Sequence, residues 1–272
     1  MTAAPFSVLR TVIAALACTL LATGAALAGP PLVTDDAGTV EVGKLELELN
    51  GSYSYDTEKT GARVTRCSTA DAEMKITTGL HRDLGISLAM PYIISGRVRE
   101  DDRLVSTSDG FGDMTVEVKY AFAELAGINL AVKPVIIIPA GRYSAGLSEG
   151  RWQFGGTLIA TREFADGAYA LHANLGYEHH DYRAQATRDS TRSDLWSGSV
   201  AGEALLLKGL TAVADFGLAT TADRSTDQLT AYALTGARYE INNLLAANAG
   251  VKFGLSRPET DLTALYGLVL RY

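Results

Sequence analysis

The chain has 272 residues, a formal charge of −7 and 47% hydrophobic residues. Its acidic balance, 24 Lys and Arg against 31 Asp and Glu, argues against nucleic-acid binding. The first 28 residues carry Arg10, an apolar run from Val12 to Leu21 and Ala26-Leu27-Ala28 before Gly29, the pattern of a cleaved signal peptide. Cys18 follows Ala15-Leu16-Ala17 as in a lipoprotein signal, but the apolar run continues past it to Leu27. Cleavage after Ala28 removes Arg10 and no acid, taking the charge from −7 to −8 and leaving Cys67 as the sole cysteine. No intrachain disulfide is then expected, although an exported chain would permit one. Residues 29–272 suffice for one large all-β domain or two small ones. None of their apolar runs approaches the roughly 18 residues of a spanning helix, so any membrane span must be built from strands.

The first strand is read at 44–56. Leu45, Leu47, Leu49, Tyr53 and Tyr55 alternate with Glu46, Glu48, Asn50, Ser52 and Ser54, a strict period of two. Further strands are expected at 69–80, 84–94, 110–122, 127–138, 151–163, 167–178, 193–207, 209–221, 226–241, 244–255 and 260–272. Each is near the roughly 9 to 11 residues of a tilted crossing. Short turns at 81–83, 123–126 and 208 alternate with long polar segments at 57–68, 95–109 and 179–192. Short periplasmic turns and longer outer loops are the habit of outer-membrane barrels, and an even count of twelve returns both ends to the periplasm.

Within 113–122, Met114, Val116, Val118, Tyr120 and Phe122 alternate with Asp113, Thr115, Glu117 and Lys119. Within 245–255, Ala247, Ala249, Val251 and Phe253 alternate with Asn248, Gly250 and Lys252. The charged face must meet water, because Lys or Arg at the lipid midplane costs about 2 to 4 kcal/mol. The strand at 226–241 is ambiguous: Tyr232 and Leu234 conflict with the lumenal face that Arg238 and Glu240 define. Pro134 falls inside a strand, where a bulge is the usual remedy for the lost hydrogen bond.

Aromatic residues gather toward the strand ends. Tyr53, Tyr55, Tyr92, Trp152, Tyr177 and Trp196 fall toward the outer rim; Tyr120, Phe122, Tyr239 and Tyr272 fall toward the periplasmic rim. Two aromatic girdles are expected at lipid headgroups, although Tyr and Trp also suit strands in general. The last strand aligns Leu262, Ala264, Tyr266, Leu268, Leu270 and Tyr272. It resembles the C-terminal signal read by the barrel-assembly machinery, with Tyr in the place of the usual Phe.

Four segments resemble an outer-membrane family of putative transporters of the meta-pathway of phenol degradation: PLVTDDAGTVEVGKLELEL at 31–49, DGFGDMTVEVKYAF at 109–122, IIIPAG at 136–141 and LHANLGY at 171–177. Where that family often has Leu-Pro-Thr-Gly, this chain has Ile138-Pro139-Ala140-Gly141. The resemblance implies a barrel linked to uptake of small aromatic or apolar compounds. It carries over no catalytic or ligand residue.

These patterns predict an all-β fold, a closed antiparallel up-and-down transmembrane barrel of about 12 strands at 29–272, after a signal peptide at 1–28. The facing assignment puts Glu46, Glu48, Asp71, Glu73, Asp113, Glu117, Glu178, Glu203 and Asp215 in the lumen with Lys75, Lys119, Lys133, Lys252 and Arg271, and with His172. Nine acids against five bases would favour cations in an open pore. Alternatively the charges cross-link strands and fill the bore, since twelve strands lie between filled and open barrels. Closure would bring Glu46 near Arg271.

Gly146-Leu147-Ser148-Glu149-Gly150 matches a nucleophile motif but lacks the strand-to-helix turn that gives it meaning. His179 and His180 point oppositely in an extended chain, which disfavours a shared metal. His172 and Asn174 share a face without a serine partner that the sequence can place. The sequence therefore predicts no catalytic, cofactor or metal site. It predicts a passive channel or facilitator. The alternatives are a blocked structural or adhesive barrel whose loops meet lipopolysaccharide or partners and, remotely, a barrel hydrolase. Expected partners are outer-membrane lipid, lipopolysaccharide, the assembly machinery and an unidentified solute, without nucleic acid.

Overall fold

In the computed structural model of the protein, residues 29–272 are described; the expected signal peptide, 1–28, lies outside them. The wall comprises β1 (Leu45–Thr60), β2 (Arg63–His81), β3 (Leu84–Glu100), β4 (Arg103–Phe111), β5 (Met114–Leu125), β6 (Ile128–Ile138), β7 (Gln153–Phe164), β8 (Tyr169–His179), β9 (Asp194–Leu207), β10 (Leu210–Ala219), β11 (Thr230–Asn242), β12 (Leu245–Gly254) and β13 (Leu262–Arg271). Neighbours pair antiparallel in chain order, and β1 pairs with both β2 and β13, so the sheet closes on itself. β3 pairs with β5 along its lower half and β4 along its upper half, which makes β4 and β5 two pieces of one staved strand. The barrel is thus twelve-stranded, and closure removes the edges that an open sheet would expose.

Alternation sets which side of the wall meets which medium. Leu158, Leu171, Leu175, Val200 and Leu268 are exposed on the outside, while Thr161, His172, Glu203 and Asp215 are buried inside. A water-soluble sandwich would reverse this arrangement, and so continuous an apolar exterior requires an apolar solvent. The aromatic residues Tyr53, Trp152 and Trp196 at one end, and Tyr120, Phe122 and Tyr239 at the other, also stand exposed.

Three expectations need correction. Residues 57–68 and 95–109 are largely strand: the hairpins turn only at Gly61-Ala62 and at Asp101-Asp102, both of the latter with positive φ (46° and 66°). Their Thr, Val and Ser residues pair as well as apolar ones once the ladder leaves the membrane, and positive φ at both turn residues suits a tight hairpin. The third concerns Pro134. No bulge occurs there: the register with β7 runs straight through Pro134↔Gly156, and the β5 register shift falls at Ala121/Ala123. The polar segment at 179–192 contains a short helix, α1 (Gln185–Ser190).

On β11, Leu234 and Arg238 are both buried on the inward face, and Tyr232 shares it, its hydroxyl reaching Asp215. The apparent conflict in facing dissolves because the lumen at that height holds protein rather than water.

Candidate functional site in the barrel lumen

What fills the lumen is the chain's own residues 29–44, which precede β1 and follow the inside of the wall before joining it. Pro31 lies against Gly236 and Gly250, where an added Cβ would come within 3.0 Å of its ring. Asp215 on β10 is the main anchor. Its Oδ2 accepts the backbone N–H groups of Val33 and Thr34, each at 2.8 Å, and its Oδ1 accepts the Thr34 hydroxyl at 2.8 Å and the Tyr232 hydroxyl at 3.1 Å. Thr34 Oγ1 also lies 2.8 Å from Ser199 Oγ on β9.

The Asn174 side chain on β8, with its amide turned to suit its neighbours, accepts from Asp35 N–H at 2.7 Å and donates to Asp35 C=O at 3.0 Å. Thr161 on β7 accepts the Ala37 N–H at 2.9 Å and meets His172 Nδ1 at 3.0 Å. Thr34, Asp36 and Ala37 are almost wholly buried. Burial without these partners would cost each polar group on the order of 1 to 3 kcal/mol, so the wall's polar pattern and the segment's course specify each other.

On the other side residues 35 and 36 meet charged side chains, Lys119 Nζ also donating to the Asp36 carbonyl at 2.9 Å, and Gly43 N–H donates to the Gly79 carbonyl at 3.2 Å. Asp35 bridges Lys119 at 2.7 Å and Lys133 at 2.9 Å; Glu117 bridges Lys133 at 3.3 Å and Lys75 at 3.1 Å; Glu48 lies 3.9 Å from Lys75. Between this ladder and the segment lies a cavity of about 250 Å³. Its charged lining comprises Asp35, Asp36, Glu46, Glu48, Glu73 and Glu117 with Lys75, Lys119, Lys133, Arg238 and Arg271.

The remaining residues expected in the lumen take other partners. Arg271 donates to Glu46 at 3.0 Å and to Glu240 at 2.8 Å, across the β1–β13 closure. Glu203 pairs with Arg238 at 2.7 Å and stands 3.8 Å from His172 Nε2. Asp71 accepts the Ser52 hydroxyl at 2.7 Å. Toward the outer mouth, Lys252 pairs with Glu259 at 2.8 Å, Asp113 accepts the N–H groups of Gly141 and Glu149, and Glu178 meets His180 at 2.8 Å. The structure thus groups Glu46, Glu48, Glu73, Lys75, Glu117, Lys119, Lys133 and Arg271 around one cavity, and spreads the others along the wall and rim.

Sequence reasoning missed Thr34, Asp35 and Asp36. The available signal was two adjacent acids in a non-alternating stretch before the first strand, with basic residues recurring at one phase of the later strands.

The motifs that suggested other chemistry are satisfied locally. Ser148 Oγ accepts the Gly150 N–H at 2.9 Å, and His179 meets Asp194 at 2.9 Å. Among the described residues no group of three or more His, Cys, Asp or Glu is placed to hold a metal. In the outer loop after β10, the backbone N–H and hydroxyl of Ser225, with Arg192 nearby, hold the Asp223 carboxyl below the usual range.

Taken together, these features define an outer-membrane β-barrel with a charged, partly filled lumen. The sequence matches the family described as putative MetA-pathway of phenol degradation over residues 37–272, and the chain belongs to that family. Its fold is similar to that of an outer-membrane channel from Pseudomonas putida F1, at 12% identity and a TM-score of 0.72, covering 87% of this chain and 98% of that one. It is also similar to the NanC porin, at 11% identity, a TM-score of 0.57 and coverage of 82% and 98%. A third likeness is to the translocator domain of the autotransporter NalP from Neisseria meningitidis, at 10% identity, a TM-score of 0.52 and coverage of 98% and 97%. At these identities the likeness is one of fold. No curated protein matches the sequence.

Proposed function

We propose that the protein is a passive channel or facilitator for small solutes, exported behind the signal peptide at 1–28. The observation that carries this reading is the charged cavity between the segment 29–44 and the wall, lined mainly by β1, β2, β5 and β6 with Arg238 of β11 and Arg271 of β13. Solutes pass the segment on that side, and Glu46, Glu48, Glu73, Lys75, Glu117, Lys119, Lys133 and Arg271 line their path. Asp71, Asp113, Glu178 and Lys252 line the approach from the outer mouth, while His172, Glu203 and Asp215 form the seat opposite.

Family membership points to small aromatic compounds, phenol among them, as the first solutes to try. The P. putida relative in fold, described as an outer-membrane channel, supports the same class of activity. The strand Leu262–Arg271 with terminal Tyr272 is the segment we assign to recognition by the assembly machinery.

Reconstitution in planar bilayers tests the channel reading. A steady, small open-state current is expected, together with faster phenol uptake by cells that carry the barrel than by cells that lack it. Silence from correctly folded protein would favour a second reading, a filled structural barrel, which the burial of Thr34, Asp36 and Ala37 in the lumen supports.

A further inference from the structure

On one flank the wall rises well above its neighbours: β1, β2 and β3 have 16, 19 and 17 residues, against 10 in each of β10, β12 and β13. The faces of this tall sheet differ in charge. Arg66 lies opposite Thr57 on one side and Arg99 on the other; Ser68 lies opposite Tyr55 and Arg97; Lys59 lies opposite Val64. Directly opposed residues share a face, and Tyr55 is exposed on the lipid side, so Lys59, Arg66, Arg97 and Arg99 point away from the lumen. The acids of the same segment, Asp56, Glu58 and Glu100, fall on the other face, where Glu100 meets Arg63 at 3.8 Å.

Asp102, from the hairpin turn, reaches Arg66. Lys59, Arg97 and Arg99 have no ion-pair partner among the described residues. Arg66 and Arg99 are directly opposed in the register, with Arg97 on the adjacent row, and Asp102 matches only Arg66. Like charges so placed cost stability, and the charge of Arg97 and Arg99 is left without an anion among the described residues. Just toward the membrane on the same face stand Tyr55, Tyr53, Tyr92 and Phe111, all exposed, with Tyr92 and Phe111 in edge-to-face contact at 4.9 Å. Aromatic rows of this kind sit at the level of lipid headgroups. The cations consequently stand where the outer leaflet of this membrane presents phosphate.

We propose that this outward face binds the phosphorylated headgroup of lipopolysaccharide, with Arg97 and Arg99 clamping phosphate beside Arg66, which Asp102 already holds. Guanidinium suits this task because its planar fork donates two parallel hydrogen bonds to phosphate oxygens. The proposal rests on the outer-membrane placement of the barrel and is independent of what crosses the lumen.

The test uses the folded barrel in phosphatidylcholine nanodiscs, titrated with rough-type lipopolysaccharide, with the same lipid after dephosphorylation, and with inorganic phosphate. Bound lipid per barrel is read by native mass spectrometry. Arg97→Gln/Arg99→Gln is expected to weaken binding of intact lipid by roughly tenfold, and dephosphorylation to do the same to the wild type. The conservative Arg99→Lys should retain part of the binding. Without lipopolysaccharide the double variant should be at least as heat-stable as the wild type, because the like-charge pair is gone; with it, the order should reverse. Ion current through the variant should equal that of the wild type, which separates this proposal from the channel reading. Equal binding by wild type and variant, indifference to dephosphorylation, or saturation of the same arginines by inorganic phosphate alone would overturn it.

Discussion

The two sides of the lumen hold the N-terminal segment in different ways. Against β7 to β11 the segment is seated: Asp215, Asn174 and Thr161 bind its backbone directly, Thr34 reaches Ser199, and Gly236 allows Pro31 to approach the wall. Against β1, β5 and β6, residues 35 and 36 are held by charged side chains around a cavity, Lys119 reaching both the Asp35 carboxylate and the Asp36 carbonyl, whereas residues 40–43 lie directly against Gly79 of β2. Backbone hydrogen bonds fix position closely and leave no gap. Long charged side chains span a gap, and their ends remain able to exchange partners with a passing solute. The difference divides the middle of the bore into a structural seat and the side proposed as the path.

The largest departure from this division should come from Asp215→Ala, which removes the acceptor for two backbone N–H groups and two hydroxyls at once. Single-channel conductance in planar bilayers should rise severalfold, with frequent transitions between levels as the segment leaves its seat. An unchanged, quiet current would show that the seat lies elsewhere.

Next in size is Asp35→Asn, which leaves Lys119 and Lys133 without the carboxylate they share. Conductance should change little, while the ratio of potassium to chloride permeability, read from reversal potentials, falls by roughly twofold as the path loses a negative charge. Gly236→Ala should act more weakly and on the seat side, since its Cβ would meet the Pro31 ring at 2.8 Å and the Ala249 carbonyl at 2.5 Å. Increased protease cleavage within residues 29–44 of the folded barrel is the expected sign. Smallest is the closing pair: a double-mutant cycle on Glu46→Gln and Arg271→Gln should give a coupling of about 1 kcal/mol or less in unfolding. Arg271 keeps Glu240 when Glu46 is lost, and the pair is partly exposed.

Much of the wall was legible because a two-residue period under two different solvents leaves a repeated signature. The alternation of Leu45 to Tyr55 and of Leu262 to Tyr272 appears in strands that pair with each other at Glu46↔Arg271. The upper halves of β1 to β3 were not legible as strands, because above the membrane both faces meet water and the apolar half of the signal disappears at Thr57 and Ser95.

The segment at 29–44 was illegible for a different reason. It has no period, and its partners Asp215, Asn174 and Thr161 are more than a hundred positions away, each appearing in its own strand as an ordinary polar residue facing the lumen. Several of the acids expected to line an open bore take up partners within the protein that the sequence does not show, for the same cause. Asp215 is consumed by backbone N–H groups, Glu203 by Arg238, and Asp113 by the loop at Gly141 and Glu149. Sequence alternation states which face a residue occupies; it does not state what occupies the space in front of it.

The division into seat and path is tested most directly by fixing the seat. Thr34→Cys with Ser199→Cys, in a Cys67→Ser background, places two thiols where the hydroxyls now lie 2.8 Å apart. With the disulfide formed, the account predicts a steady current of wild-type size, because ions pass on the opposite side. A current that vanishes on oxidation and returns on reduction would contradict it, showing that conduction requires the segment to leave.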